Sequence, residues 1–438
     1  MNWPKPCGHG RPARACALLG ALWIPWVGLL EGCRHGRPGG SSSSEPSRAD
    51  EPSAVGAPAE DMPAVAAWRP VEPFHLLGEA FAYVGGDAWM LAGVEEDGTF
   101  PGDGEEPTRA AFARIVHERL GSLPLPSIDT NRPIRFPAPV FLGSDGPWGL
   151  LWAEAVPPPG HNVGEWPSSG LNQLRFAVWE GQGWSVPRVI LQSAMLIDWE
   201  RGRTVQTSGS RGPLLLTISK DRPGPGGATL QFGSVPDDVR PVTLDASLRP
   251  QSASFDLDES GRAVIAALVE RRHGPARLRE VVILKELVAG GEWSDPTTIA
   301  TIQSSSWDEL RIHNDAEGRL HVLWSYGTDR IYHLTSGSGD AWESVTIAPP
   351  EGVLLRWITG IDRAGRLVIV RHVLKSHTSA ELQLGRWNGS WHFSPLTPQV
   401  HAFHLFEGTG AKGEWYVGWS GFTASQTDAR STTWLIRP

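Results

Sequence analysis

Four short stretches of the chain repeat one design: a turn of small residues, a tryptophan, then a run of strand-forming residues. They are GQGWSVPRVI (181–190), GGEWSDPTTI (290–299), GDAWESVTI (339–347) and NGSWHFSPL (388–396), built around Trp184, Trp293, Trp342 and Trp391. The last three tryptophans are 49 residues apart, and 109 residues separate the first from the second. The longer gap is about two periods, which leaves room for one degenerate copy. A period near 50 made of strand-like segments is the length of a four-stranded propeller blade.

A second element precedes the tryptophan in three of these units: DESGRAVIA (258–266), DAEGRLHVLW (315–324) and DRAGRLVIV (362–370). An acidic residue and a glycine make a tight turn, and an apolar run follows. Weaker copies surround Gly86, Gly146, Gly212 and Gly413, so seven units can be anchored on Gly86, Gly146, Gly212, Gly261, Gly318, Gly365 and Gly413. In the fifth unit the four strands read directly as 310–314, 320–325, 330–336 and 343–348. The expected fold is all-β: a propeller of seven four-stranded antiparallel blades, with six an alternative because of an acidic insertion from Glu95 to Glu106. The last unit ends at STTWLI (431–436), so a strand near Trp68 to Leu76 should complete the ring.

The chain has 21 tryptophans against four tyrosines, and a net charge of −9 that disfavours a nucleic-acid partner. All three cysteines, Cys7, Cys16 and Cys33, precede the patterned region, which therefore contains no disulfide and no thiolate metal site. The histidines from His313 to His404 have no ligand spacing, and no cofactor is called for.

Lys5, Arg11 and Arg14 precede an apolar run from Ala15 to Leu30, as in an export signal. Leu30-Glu31-Gly32-Cys33 follows, and it resembles the lipobox of bacterial lipoproteins, with Glu31 standing where a small residue is usual. The resemblance implies lipidation of Cys33 and an exported protein held in a bacterial envelope, periplasmic or at the cell surface. Residues 34–67 are rich in Gly, Ser and Pro and read as a disordered tether. The expected organisation is a signal segment at 1–33, the tether at 34–67 and the propeller at 68–438, most simply as a monomer.

The turn-plus-tryptophan stretches resemble the Asp-box of the bacterial neuraminidase repeat, the unit of sialidase-like propellers. RFPAPVFLGSDGPWGLLWAE (135–154) further resembles the Arg-Ile-Pro segment of sialidases. That resemblance places Arg135 at the first arginine of a carboxylate-gripping triad and Glu154 at the end of the motif. Arg371 comes nearest to a second triad arginine but is one residue out of register, which reverses a strand side chain's face. No aspartate lies between Ala155 and Leu174, where the family carries its general acid; only His161 and Glu165 could carry a proton there. None of Tyr83, Tyr326, Tyr332 and Tyr416 sits in a nucleophile motif.

Arg311, Arg356 and Trp357 on inner strands, with Trp199 in the degenerate third unit, are candidates to line a central funnel alongside Arg135 and Glu154. Arginine beside tryptophan suits sugar faces and carboxylates. The arginine-rich run Arg271, Arg272, His273, Arg277 and Arg279 reads as a solvated hairpin. The expected role is binding or scaffolding at the envelope, for a glycan or a protein partner. The alternative is a divergent glycoside hydrolase acting on an acidic sugar.

Overall fold

In the computed structural model, strands between Ala66 and Ile436 and most of the turns joining them are described. Residues 1–65 and several connections, including 69–75, 96–110, 123–133, 157–171, 198–203 and 424–431, fall outside the described residues. The leader, Cys33 and most of the expected tether therefore lie outside them too. The described residues contain no helix and form seven four-stranded units.

Blade 1 comprises Leu76–Gly85, Ala88–Glu95, Ala111–Val116 and Leu120–Ser122; blade 2 comprises Ile134–Phe141, Trp148–Glu154, Gln173–Val178 and Arg188–Gln192. Blade 3 starts with an interrupted strand, Met195–Ile197 and Thr204–Ser208, and continues with Gly212–Lys220, Ala228–Ser234 and Asp238–Val242. Blade 4 contains Leu248–Leu257, Ala263–His273, Ala276–Lys285 and Thr297–Ile302. Blade 5 contains Leu310–Asn314, Leu320–Tyr326, Arg330–Ser336 and Trp342–Ile347, and blade 6 Val353–Ile361, Leu367–Ser376, Ser379–Trp387 and Trp391–Thr397. Blade 7 is Val400–Gly410, Trp415–Thr423, Thr432–Ile436 and the N-terminal strand Ala66–Trp68.

The first strand of each blade neighbours the first strand of the next, so first strands are innermost and surround an axis. The ring closes twice. Ala66–Trp68 pairs antiparallel with the last strand, and the inner strands of blades 7 and 1 pair in parallel from Phe81↔Gly408 to Tyr83↔Gly410. The closing strand starts two residues before the expected domain boundary. Seven blades, the first of the two alternatives, is the arrangement found.

All seven anchor glycines fall between the first and second strands, or open the second. In blades 4, 5 and 6 these turns are copies of one another. Asp258, Asp315 and Asp362 each accept the backbone N–H groups two and four residues on, at 2.9–3.0 Å, and the Nε of the arginine four residues on, at 2.8–3.0 Å. Gly261, Gly318 and Gly365 supply the left-handed residue, with φ of 73°, 75° and 77°.

The four motif tryptophans also occupy equivalent places: Trp342 and Trp391 open the outermost strand, and Trp184 and Trp293 form bridges four residues before it. Trp184 bridges Trp179 and Trp293 bridges Glu286, while Trp342 pairs with Ser336 and Trp391 with Trp387. The degenerate copy is the blade 3 turn Val235–Asp237, which lacks tryptophan. All four rings are half-buried, because the outermost strand keeps one side toward solvent. Trp293 meets Phe232 of the preceding blade edge-on at 5.3 Å, and Trp391 meets His333 of the preceding blade at 5.4 Å. The apolar core lies between blades, as in the cluster of Leu216, Phe232, Phe255 and Ile265 that joins blades 3 and 4.

Candidate functional site at the channel mouth

Alternating strand direction puts the starts of the seven inner strands and the second-to-third connections at one end of the ring, the mouth. The first-to-second and third-to-fourth turns lie at the other end. One inner-strand break lies at the turn end, between Tyr83 and Gly85, but at the mouth the pairing breaks repeatedly. Inner-strand register shifts occur between Leu77 and Ala80, Arg135 and Ala138, Pro250 and Ser252, Leu354 and Arg356, and Ala402 and His404. In blade 3, Ile197 pairs with Ile218 and Thr204 with Leu216, so residues 198–203 are inserted opposite a single residue. Each of these mouth breaks lies within the first few residues of its strand. Bulges re-aim side chains and are concentrated at rims and next to binding sites.

An arginine accompanies four of the seven inner-strand starts: Arg135 in blade 2, Arg249 in blade 4, Arg311 in the unbulged strand of blade 5 and Arg356 in blade 6. Arg135 occupies the second position of its strand, opposite Ala153, and its side chain lies outside the described residues. Trp199 belongs to the inserted segment of blade 3 and is also outside them. Arg356 follows the blade 6 bulge and is exposed. The bulge leaves Leu355 48% exposed beside Val353 at 41%.

Arg311 is held from two sides. Its Nη2 lies 2.8 Å from Glu309 Oε1 and 3.2 Å from Glu407 Oε1, on the inner strand of blade 7. Blades 5 and 7 are not neighbours, so this pair runs past the inner edge of blade 6. Glu407 also accepts Trp415 Nε1 at 3.4 Å. Burial alone lowers the guanidinium pKa, but Glu407 and then Glu309 outweigh it and the net shift is upward. The neighbouring His313 bonds Thr359 Oγ1 of blade 6 at 2.7 Å; burial first, then Arg311 and His321, push its pKa down to about 3. Arg311 thus carries a fixed positive charge and His313 is neutral at pH 7.

Two expected ligand contacts are turned to other work. Trp357 is buried within the packing between blades 5 and 6, alongside Leu323, Leu354 and Ile369, so it does not line the channel. Adjacent residues on a strand face opposite sides, and with Arg356 facing solvent its neighbour faces the core. Glu154 is also buried, at 2%; it accepts Trp152 Nε1 at 3.1 Å and pairs with Arg175 Nε at 2.9 Å. A carboxylate engaged by two fixed partners holds the mouth end of blade 2 together.

Arg371 does not reach the mouth. It is buried, 3.7 Å above the ring of Phe393, and donates to Gln383 Oε1 at 2.8 Å; burial lowers its pKa to about 10. Tyr332 is stacked on Trp324 and Tyr416 is buried; the side chains of Tyr83 and Tyr326, and residues His161 and Glu165, are outside the described residues. In the arginine-rich hairpin of blade 4, Arg271 Nε binds Glu280 at 3.1 Å.

The late histidines are less scattered than their spacing suggests. His321 Nε2 lies 3.0 Å from Asp315 Oδ2, and its Nδ1 lies 3.0 Å from His333 Nε2, whose Nδ1 accepts Trp391 Nε1 at 3.2 Å. With the indole as obligatory donor, one tautomer set satisfies the row: each imidazole donates from Nε2 and accepts at Nδ1. This network joins blades 5 and 6. No group of three or more metal-ligating side chains occurs among the described residues.

Sequence reasoning missed Arg249 and the ring of bulges. Both are faintly visible in the proline-bearing strand starts RFPAP and LRPQS, where regular pairing cannot continue.

No protein-family model matches the sequence, and comparison with the curated proteins found no match. Solved structures do match. A polysaccharide lyase described as a PL25 ulvan lyase bound to -[GlcA(1-4)Rha3S]- aligns at TM-score 0.53 and 11% identity, over 81% of this chain and 93% of that one. A protein of unknown function from Dyadobacter fermentans DSM 18053 aligns at TM-score 0.47 and 10% identity, over 85% and 98%. The Hadza microbial sialidase Hz136 aligns at TM-score 0.40 and 11% identity, over 83% and 66%. At such identities the likeness is one of fold.

Proposed function

We propose that this chain is an exported, lipid-anchored propeller that binds an anionic glycan at the channel mouth and does not cleave it. The observation that carries the reading is the arginine at the start of the inner strand in four blades, Arg135, Arg249, Arg311 and Arg356, at the depth where the inner strands bulge. Guanidinium suits carboxylate and sulfate because its donors are planar and paired. The ulvan lyase that shares the fold was solved bound to -[GlcA(1-4)Rha3S]-, an acidic and sulfated sugar chain, which agrees with this ligand class.

Binding rather than hydrolysis is favoured by the fate of the groups a glycosidase would need. Glu154, Glu309 and Glu407 are already engaged with arginines. Tyr332 and Tyr416 are packed away. Ala66 starts the closing strand.

Calorimetric titration with oligogalacturonate, sulfated oligosaccharide and sialyllactose tests the reading. At least one should bind, more weakly as salt rises. Arg356→Ala should cost about 1.5–3 kcal/mol of binding, the size of a charge-assisted hydrogen bond. Absence of binding to all three, or binding indifferent to Arg356→Ala and Arg249→Ala together, contradicts it.

A further inference from the structure

The junction between blades 3 and 4 differs from two others that carry the tryptophan motif. Between blades 5 and 6, Trp391 is closed in by His333, Trp387 and Phe393. Between blades 4 and 5, Trp342 packs on the cluster containing Ile299 and Ala300. At Trp293 the corresponding space is open: a groove of about 1020 Å³ runs between the outermost strand of blade 3 and the third-to-fourth turn of blade 4. Its lining runs from Arg211 and Glu286 to Leu248 and Arg271, at the start of the blade 4 inner strand.

Its walls are rigidly tied. Arg211 of blade 3 grips Glu286 of blade 4 through two contacts, 2.7 and 3.0 Å, and also donates to the Gly261 carbonyl at 3.3 Å. Glu286 takes the backbone N–H groups of Ala263 and Gly290 as well. This pair is saturated, so it fixes the groove and offers little to a ligand. Trp293 is anchored edge-on against Phe232, itself edge-on to Phe255 at 5.1 Å.

What faces the space is different. Among the described residues, the indole N–H of Trp293 and the carboxylates of Glu292 and Asp295 make no hydrogen bond or ion pair. On the opposite wall, Arg240 is 71% exposed and pairs with Asp238. The groove therefore pairs an aromatic side chain with both donors and acceptors. A hydroxyl group, which donates and accepts, satisfies both kinds at once. An anion would meet Glu292 and Asp295, and a cation would meet Arg240 and leave the indole donor unused.

We propose that this groove is a second binding site, for an uncharged, hydroxyl-rich glycan segment, independent of the mouth. Its volume is at the upper end of small-ligand pockets and suits several linked rings rather than one.

The full chain, applied to an array of neutral glycans alongside a lysine-rich peptide, tests the proposal. A neutral glycan should be retained. The double variant Glu292→Gln, Asp295→Asn should weaken its binding at least tenfold with an unchanged melting temperature, and Trp293→Phe should weaken it while preserving the packing on Phe232. Arg356→Ala, at the mouth, should leave it unchanged. Retention of no neutral glycan, retention of the peptide alone, or neutral-glycan binding indifferent to the double variant overturns the proposal. Loss of neutral-glycan binding through Arg356→Ala also overturns it, by moving that ligand to the mouth.

Discussion

The two ends of this ring are built by opposite rules. At the turn end, three consecutive blades repeat one Asp-x-x-Gly-Arg turn, with corresponding hydrogen bonds agreeing to within 0.2 Å. At the mouth, six of the seven inner strands are bulged or interrupted, each differently. One end repeats where successive blades use the same turn to reverse direction. The other varies because the strand starts need only reach the axis. Regularity marks the scaffold, and its loss coincides with the proposed site.

The comparison can be broken most severely at the turn end. Asp315 is buried and serves two backbone N–H groups, Arg319 and His321. Asp315→Ala should cost about 3–5 kcal/mol, since it leaves a buried polar row without its acceptor. Trp391→Ala removes a half-buried wedge and its bond to His333, and should cost about 3 kcal/mol. Denaturant titration measures both. If either proves as neutral as a surface change, the turn end is not the scaffold.

Acid sharpens the same contrast. Burial first, then the His321 charge, lowers His333 from 6.5 to about 3. The folded pKa lies below the unfolded one, so the unfolded state binds more protons between them. Stability should be full above pH 6.5 and should decline as pH falls toward 3. His313, also lowered to about 3, adds to the slope. Melting temperature against pH should flatten in His333→Gln, and an unchanged profile would remove His333 from the acid response.

The smallest effects should come from the mouth. Arg356→Ala and Leu355→Ser should change stability by less than about 0.5 kcal/mol, because both residues are exposed. A fluorogenic sialoside should not be hydrolysed. Turnover abolished by Arg135→Ala would replace a binding site with a catalytic one.

How much was legible in the sequence follows the same division. The glycine anchors and tryptophans could be read because a turn is local: an acidic residue, a glycine and an apolar run define it within ten residues. The fold followed from their period. The mouth was only partly legible because a bulge is a relation between two strands, and only the pairing of Leu354 with Val373 and of Arg356 with His372 shows that Leu355 is extra. The Arg311–Glu407 pair joins blades that are not neighbours, so no periodicity announces it. Arg135, Arg311 and Arg356 do lie near inner-strand starts, whereas Trp357, adjacent to Arg356, faces the core.

The central claim is that ligand sits at the mouth and not at the turns. Hydrogen exchange of the full chain with and without a bound anionic oligosaccharide tests it directly. Protection should rise at 134–138, 248–252 and 353–357 and stay unchanged at the turns 258–262, 315–319 and 362–366. Protection confined to those turns, or spread evenly over both ends, would contradict the account.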